Sequence, residues 1–187
     1  MPLAITGLVD ADAVLDDPFA LTVGMLLDQQ YPMEHAFRGP WKILERFGTL
    51  DAAAIAGADP EAFITMATTP PAIHRYGRAM AGRVQELARV VVNEYDGDAS
   101  RIWTTASSGA ELLQRVKALP GFGEQKAKIF VALLAKQLAV RPDGWEAVVG
   151  DYALPGYRSV ADVTDPESLQ RVRAYKKDQK AAAKATT

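Results

Sequence analysis

The tightest constraint on this chain is a five-residue stretch, Leu119-Pro120-Gly121-Phe122-Gly123, with a helical run on either side. Leu112, Leu113, Val116 and Leu119 approach it at the spacing of one helix face, and Lys126-Ala-Lys-Ile-Phe-Val-Ala-Leu-Leu-Ala-Lys follows it. A proline stops the first helix, and glycines let the backbone take positive φ or approach another surface closely. A Gly-x-Gly turn that opens into a helix aims free N–H groups outward, at the end where the helix dipole favours negative charge. The turn therefore reads as a phosphate clamp, and Lys126 and Lys128 lie where they add positive charge to it.

The rest of the chain narrows the setting of that clamp. Its 187 residues suffice for a single domain, or two small helical lobes, around a shared core. The absence of cysteine excludes disulfides, thiolate-bound zinc and a cysteine-ligated iron–sulfur cluster. His35 and His74 are too few and too separated for a histidine metal centre, so no metal ligands are assigned. With no long apolar run and no basic, apolar and small-residue leader, the expectation is a cytoplasmic protein with no membrane partner. Charge is uneven: residues 1–70 hold 3 basic and 10 acidic side chains and residues 71–187 hold 18 and 13, which together give the net −2. A polyanion should therefore meet the second half.

Helix punctuation recurs along the chain and no alternating strand pattern of any length appears, so the fold class is all-α. Residues 1–14 read as a short strand or an irregular cap. Asp16-Asp17-Pro18 starts a helix that is apolar on nearly every side and ends in a sudden polar cluster, Asp28-Gln29-Gln30-Tyr31. Pro40-Trp41, Asp51 and Asp59-Pro60 open short helices; a longer one over residues 76–95 carries Met80, Val84, Leu87, Val91 and Tyr95 as a core stripe. Ser108 caps the helix entering the hairpin, which spans about 109–138. Pro142-Asp143-Gly144 has the composition of a turn. Asp165-Pro166 begins a basic last helix to about Lys180, with residues 181–187 expected to fray. All 187 residues form one domain.

The hairpin and its flanks resemble the helix-hairpin-helix (HhH-GPD) DNA glycosylase superfamily, which includes endonuclease III and the adenine and alkylbase glycosylases. Leu26-Leu27-Asp28-Gln29-Gln30 is similar to that family's Leu-Leu-x-x-Gln segment, whose last Gln lies against the duplex near the flipped nucleotide. Eighteen positions after Gln125 stands Asp143, at the family's spacing for a catalytic Asp, although its setting here is Arg141-Pro142-Asp143-Gly144-Trp145. Where bifunctional members carry a nucleophilic Lys, this chain has Gln125, and an amide cannot form a Schiff base. Lys126 stands one residue further on, about 100° around the helix, and is expected to point elsewhere.

The resemblance implies a two-lobed helical glycosylase fold acting in base excision repair as a monofunctional N-glycosylase without a Schiff-base lyase step. Double-stranded DNA is the implied partner, with nucleoid association through it. No protein partner is implied, and the chain is expected to be a monomer. The phosphate site would comprise Leu119, Gly121, Phe122, Gly123, Gln125, Lys126 and Lys128, with no iron–sulfur cofactor and with a structural monovalent cation as an optional guest of carbonyls near Leu119. Gln30, helped by Gln29, would fill the space of the flipped nucleotide; Asp143 would stabilise the developing sugar cation; Tyr31, Trp41, Trp145 and Tyr152 are the base-stacking candidates. Two other readings stay open: a glycosylase fold that binds DNA without catalysis, and a protein-interaction scaffold.

Overall fold

The computed structural model describes residues 3–186; Met1, Pro2 and Thr187 lie outside the described residues. The first part of the chain forms α1 (Val9–Val14), α2 (Pro18–Leu27), α3 (Met33–Phe37), α4 (Gly39–Phe47), α5 (Ala52–Ala56), α6 (Pro60–Thr68) and α7 (Gly77–Glu94). The second forms α8 (Arg101–Thr104), α9 (Gly109–Lys117), α10 (Glu124–Gln137), α11 (Trp145–Val149) and α12 (Pro166–Ala185), with 3-10 turns at Gly150–Ala153 and Val160–Asp162. No strand occurs among the described residues, and none of their helices is long and apolar enough to cross a membrane.

Helix starts follow the capping residues. Asp17 accepts from the N–H of Ala20 at 2.8 Å ahead of Pro18, and Asp51 and Asp59 do the same for Ala54 and Ala62, each at 2.9 Å. Ser108 accepts from Glu111 N–H at 3.1 Å, and Asp165 and Ser168 form a reciprocal capping box at the start of α12. In one group of helices α7 packs on α5 and α6, while α2 lies against α3, α4 and α7. In the other, α10 is the hub for α9, α11 and both 3-10 turns. One continuous apolar core runs through both groups, and every residue of α2 from Phe19 to Leu27 is buried in it.

Two local expectations change. Residues 3–8 are irregular, as one reading had it, but residues 9–14 form α1, and the Asp12 carboxylate accepts from the N–H groups of Ile5 and Thr6 at 3.0 and 2.8 Å and holds the preceding segment to the helix. The last helix continues past Lys180 to Ala185, since its Ala- and Lys-rich end consists of strong helix formers.

Phe130 ties the hairpin to this core. It has no exposed surface, meets Trp103 edge-on with centroids 6.1 Å apart, and lies 5.9 Å from the ring of Phe122 in the turn. Phe130→Ala is expected to destabilise the protein by about 3–5 kcal/mol in urea unfolding, because the void cannot collapse between helices on either side. Phe130→Leu, which keeps most of the volume, is expected to cost under about 1.5 kcal/mol.

Candidate nucleic-acid interface

Two helix ends meet beside the hairpin, the C-terminus of α2 and the N-terminus of α10. α2 stops where its sequence turns polar, and the chain leaves it by an inverse γ-turn: Asp28 has φ −77° and ψ 67°, and the N–H of Gln29 donates to the carbonyl of Leu27 at 2.8 Å. Gln30 then takes a left-handed φ of 50°, which a residue other than glycine holds only where its neighbours fix it. His74 and Arg75 supply that constraint. The N–H of Tyr76 donates to Nδ1 of the buried His74 at 3.0 Å, so the ring proton sits on Nε2 and donates to the Gln29 carbonyl at 2.9 Å. Burial keeps the His74 ring below its ordinary pKa, against the opposing pull of the Gln29 and Leu27 carbonyls. Arg75 donates to the Gln30 carbonyl at 3.3 Å, the Gln29 amide reaches the Met80 sulfur at 3.3 Å, and the Tyr31 ring lies 4.7 Å from that of His74. The Gln30 side chain is left exposed at the rim of a cleft.

The hairpin forms the facing part of that cleft. Gly121 turns the chain at φ 80°, and a Cβ there would lie 2.5 Å from Cδ1 of Leu26, so the turn seats against α2 only as glycine. Leu119 and Phe122, expected at the DNA, bury their side chains in the core and leave only backbone for such a contact. Gly123 differs from Gly121: its φ is −81°, and nothing lies within 4 Å of where a Cβ would be. α10 begins there without a side-chain cap, so the N–H groups of its first turn and its positive dipole end face open space.

Lys126 corrects the expectation that it points away. The cleft wraps around the first turn of α10, so Gln125 and Lys126 both line it although they are about 100° apart on the helix. The Lys126 ammonium donates to the Leu26 carbonyl at 2.8 Å, closing an open acceptor in the last turn of α2, and lies 5.6 Å from the centre of the Phe122 ring. Burial pushes its pKa down to about 8, the nearby Asp28 opposing that shift and Arg83 adding to it. Asp28 itself is raised above the ordinary carboxylate value by burial, against the pull of Lys176 and Lys126. Its carboxylate faces the cleft and makes no hydrogen bond or close ion pair among the described residues. Gln125 donates to the hydroxyl of Tyr152 at 2.9 Å, and Lys128 sits 3.7 Å from Glu124.

The cleft measures about 1520 Å³. Arg75, Lys126, Lys128 and Arg158 line it from the body of the protein, and Arg173, Lys176, Lys177, Lys180 and Lys184 from α12. Only Asp28 and Asp151 oppose them, in a chain whose net charge is −2. A second cleft of about 690 Å³ has no cation in its lining, and its Asp17, Asp51 and Asp98 already accept backbone N–H groups. A polyanion is attracted to the first and repelled by the second. Among the described residues no group of three or more His, Cys, Asp or Glu side chains comes together to hold a metal ion.

The remaining sequence candidates divide. Tyr31 and Tyr152 line the cationic cleft, whereas Trp145 is buried in the core and Trp41 sits on α4 outside the lining. Asp143 is also outside it. Pro142–Trp145 forms a β-turn closed by a 3.1 Å hydrogen bond, with Gly144 at φ 80°, and the exposed Asp143 gives its carbonyl to the N–H of Gly109 at 2.8 Å. Four contributors to the cleft carried no assignment in the sequence: Asp151, Arg158, Tyr175 and the α12 stripe. Asp151 follows a glycine at φ 61° that ends α11, and the even spread of positive charge along α12 hides its sidedness until the helix is placed. Asp28 had a signal, a carboxylate opening the polar cluster at the tip of an apolar helix.

A model of the family described as HhH-GPD superfamily base excision DNA repair protein matches residues 23–187. No curated protein and no solved structure matches the chain. The matched region begins within α2, at Val23, and runs on through α12, and it includes the hairpin and every residue lining the cleft. The chain belongs to the HhH-GPD superfamily of base excision DNA repair proteins.

Proposed function

We propose that this protein is a DNA N-glycosylase that hydrolyses the bond between a damaged base and its sugar in duplex DNA and leaves the strand intact. The observation that carries this reading is an uncommitted carboxylate, Asp28, in a cationic cleft beside the open N-terminus of α10. A backbone phosphate next to the lesion binds the N–H groups of Gly123, Glu124 and Gln125. Gln30 fills the gap in the stack, and the extruded base enters the cleft near Tyr31 and Tyr152. As the bond from the sugar carbon to the base nitrogen breaks, its electron pair leaves with the base and positive charge builds on the sugar. Asp28 stabilises that charge and accepts a hydrogen bond from the water that attacks the sugar carbon; the proton the water sheds returns to the departing base. This reading gives the role to Asp28, with Asp151 as the other cleft carboxylate, rather than to Asp143, whose backbone forms a turn outside the cleft lining.

Single-turnover release of free base from duplexes carrying uracil, hypoxanthine, 3-methyladenine or 8-oxoguanine tests the assignment. Asp28→Asn is expected to slow release by about 100-fold or more, the usual contribution of such a group, and Asp143→Asn to leave it within about twofold. Loss in Asp143→Asn alone would return the role to that residue, and DNA binding without release from any duplex would favour the non-catalytic reading.

Gly123 offers a clean test of the phosphate clamp, because the free protein has space for an alanine Cβ at an allowed φ. Gly123→Ala is therefore expected to keep wild-type stability while losing about 10–100-fold in DNA affinity, the worth of one charge-assisted hydrogen bond. Unchanged affinity removes the hairpin from the DNA site.

The pH dependence has a definite sign. Asp28 must be ionised, so release rises with pH through a carboxylate pKa held above its ordinary value by burial. Lys126 must be protonated to support that carboxylate, so release falls as pH passes about 8. Lys126→Arg is expected to remove the alkaline fall, since a guanidinium stays charged.

A second reading draws on the same lysine: a half-buried amine of pKa about 8 lining the cleft has the chemistry of an imine-forming nucleophile. Its donation to the Leu26 carbonyl supports a structural role instead. Borohydride added during turnover is expected to trap no covalent protein–DNA adduct; an adduct lost in Lys126→Gln would establish imine formation at Lys126.

A further inference from the structure

Only the first turns of α12 are packed: Ser168, Leu169 and Val172 are buried, and beyond Val172 no residue of the helix is. The outer part is held to the body where Arg173 pairs with Glu34 of α3 and where the Tyr175 hydroxyl meets Arg158 at 3.4 Å. From there Arg173, Lys177, Lys180 and Lys184 follow one another at steps of four, three and four residues, which places them on one face of the helix. All four line the cleft, together with Tyr175, Lys176 and Gln179 beside them. At 1.5 Å per residue the stripe runs about 16 Å, the length over which one strand of a duplex presents about five phosphates.

The arrangement is unfavourable on its own terms. Lys176, Lys177 and Lys180 have no carboxylate within ion-pair distance among the described residues, and like charges three or four positions apart on a helix repel by a few tenths of a kcal/mol per pair. Asp178, the one acidic residue on this stretch, is off the stripe and outside the cleft lining. A partner that relieves this repulsion must itself carry closely spaced negative charge, and the cleft already presents an open helix N-terminus suited to a phosphate.

We propose that α12 is a second DNA-binding element, whose cleft-facing lysines track the phosphate backbone of the duplex flanking the lesion held at the hairpin. The proposal rests on the glycosylase reading for the identity of the polyanion, and its test separates the two. The full-length chain is titrated against a fluorescently labelled duplex carrying one tetrahydrofuran abasic-site analogue, across a series of salt concentrations. For Lys177→Ala/Lys180→Ala, loss of two phosphate contacts is expected to lower the slope of log K against log salt by about 1.8. Arg89→Ala, which removes an exposed cation of α7 outside the cleft, is expected to keep the wild-type slope. A double variant with wild-type slope and affinity, while Gly123→Ala still weakens binding, overturns the role of α12 and leaves the glycosylase reading intact. Failure of the wild type to bind the duplex at any salt concentration overturns both.

Discussion

The seat of the hairpin on the end of α2 is the contact on which the rest of the site depends. Gly121 lets the turn approach Leu26 with no side chain between them, and the Lys126 ammonium satisfies the Leu26 carbonyl. The same contact brings an open helix N-terminus and a helix C-terminus into one cleft. Their dipole ends have opposite sign, so the cleft offers an anion site at α10 and a place beside it where Asp28 is held near two lysines. Burial raises the carboxylate and lowers the lysine, and each opposes the shift of the other. A substitution at Gly121 would disturb all of these together, which is why the neighbouring Gly123, free of contacts, isolates the ligand's contribution.

Electrostatics then selects between the cationic cleft and the one lined by Asp17, Asp51 and Asp98. A net charge of −2 gives no hint of a polyanion partner, yet the fold gathers Arg75, Arg158 and the cations of α10 and α12 around one opening and leaves Asp17, Asp51 and Asp98 around the other. Local field, and not total charge, governs what approaches each opening. Asp17, Asp51 and Asp98 at the second cleft are already committed to backbone N–H groups, whereas among the described residues the two carboxylates of the first are not.

Much of this was legible in the sequence because it is local. Asp-Pro starts, the apolar run of α2 and the Pro-Gly-x-Gly turn each fix their own element, and the structure places them as read. What spacing could not supply was the direction of side chains relative to a distant surface. Lys126 was expected to turn away because a one-residue step rotates it by about 100°, but the cleft is wider than that arc. Asp143 has the family's spacing, yet the Pro142 and Gly144 on either side of it make a turn that lies outside the cleft lining. Asp28 and the α12 stripe gain their meaning only from residues more than a hundred positions away: Lys176 beside Asp28, and Glu34 against Arg173.

On the proposed reading, DNA binds at the joint between α2 and the hairpin. Backbone amide chemical shifts followed by NMR during titration with a duplex containing an abasic-site analogue test it directly. The largest changes are expected at Gly123, Glu124 and Gln125 and at Gln30, with little change around Thr49 and Asp98. Perturbation centred on the second cleft, or none at the hairpin under saturating DNA, would contradict it.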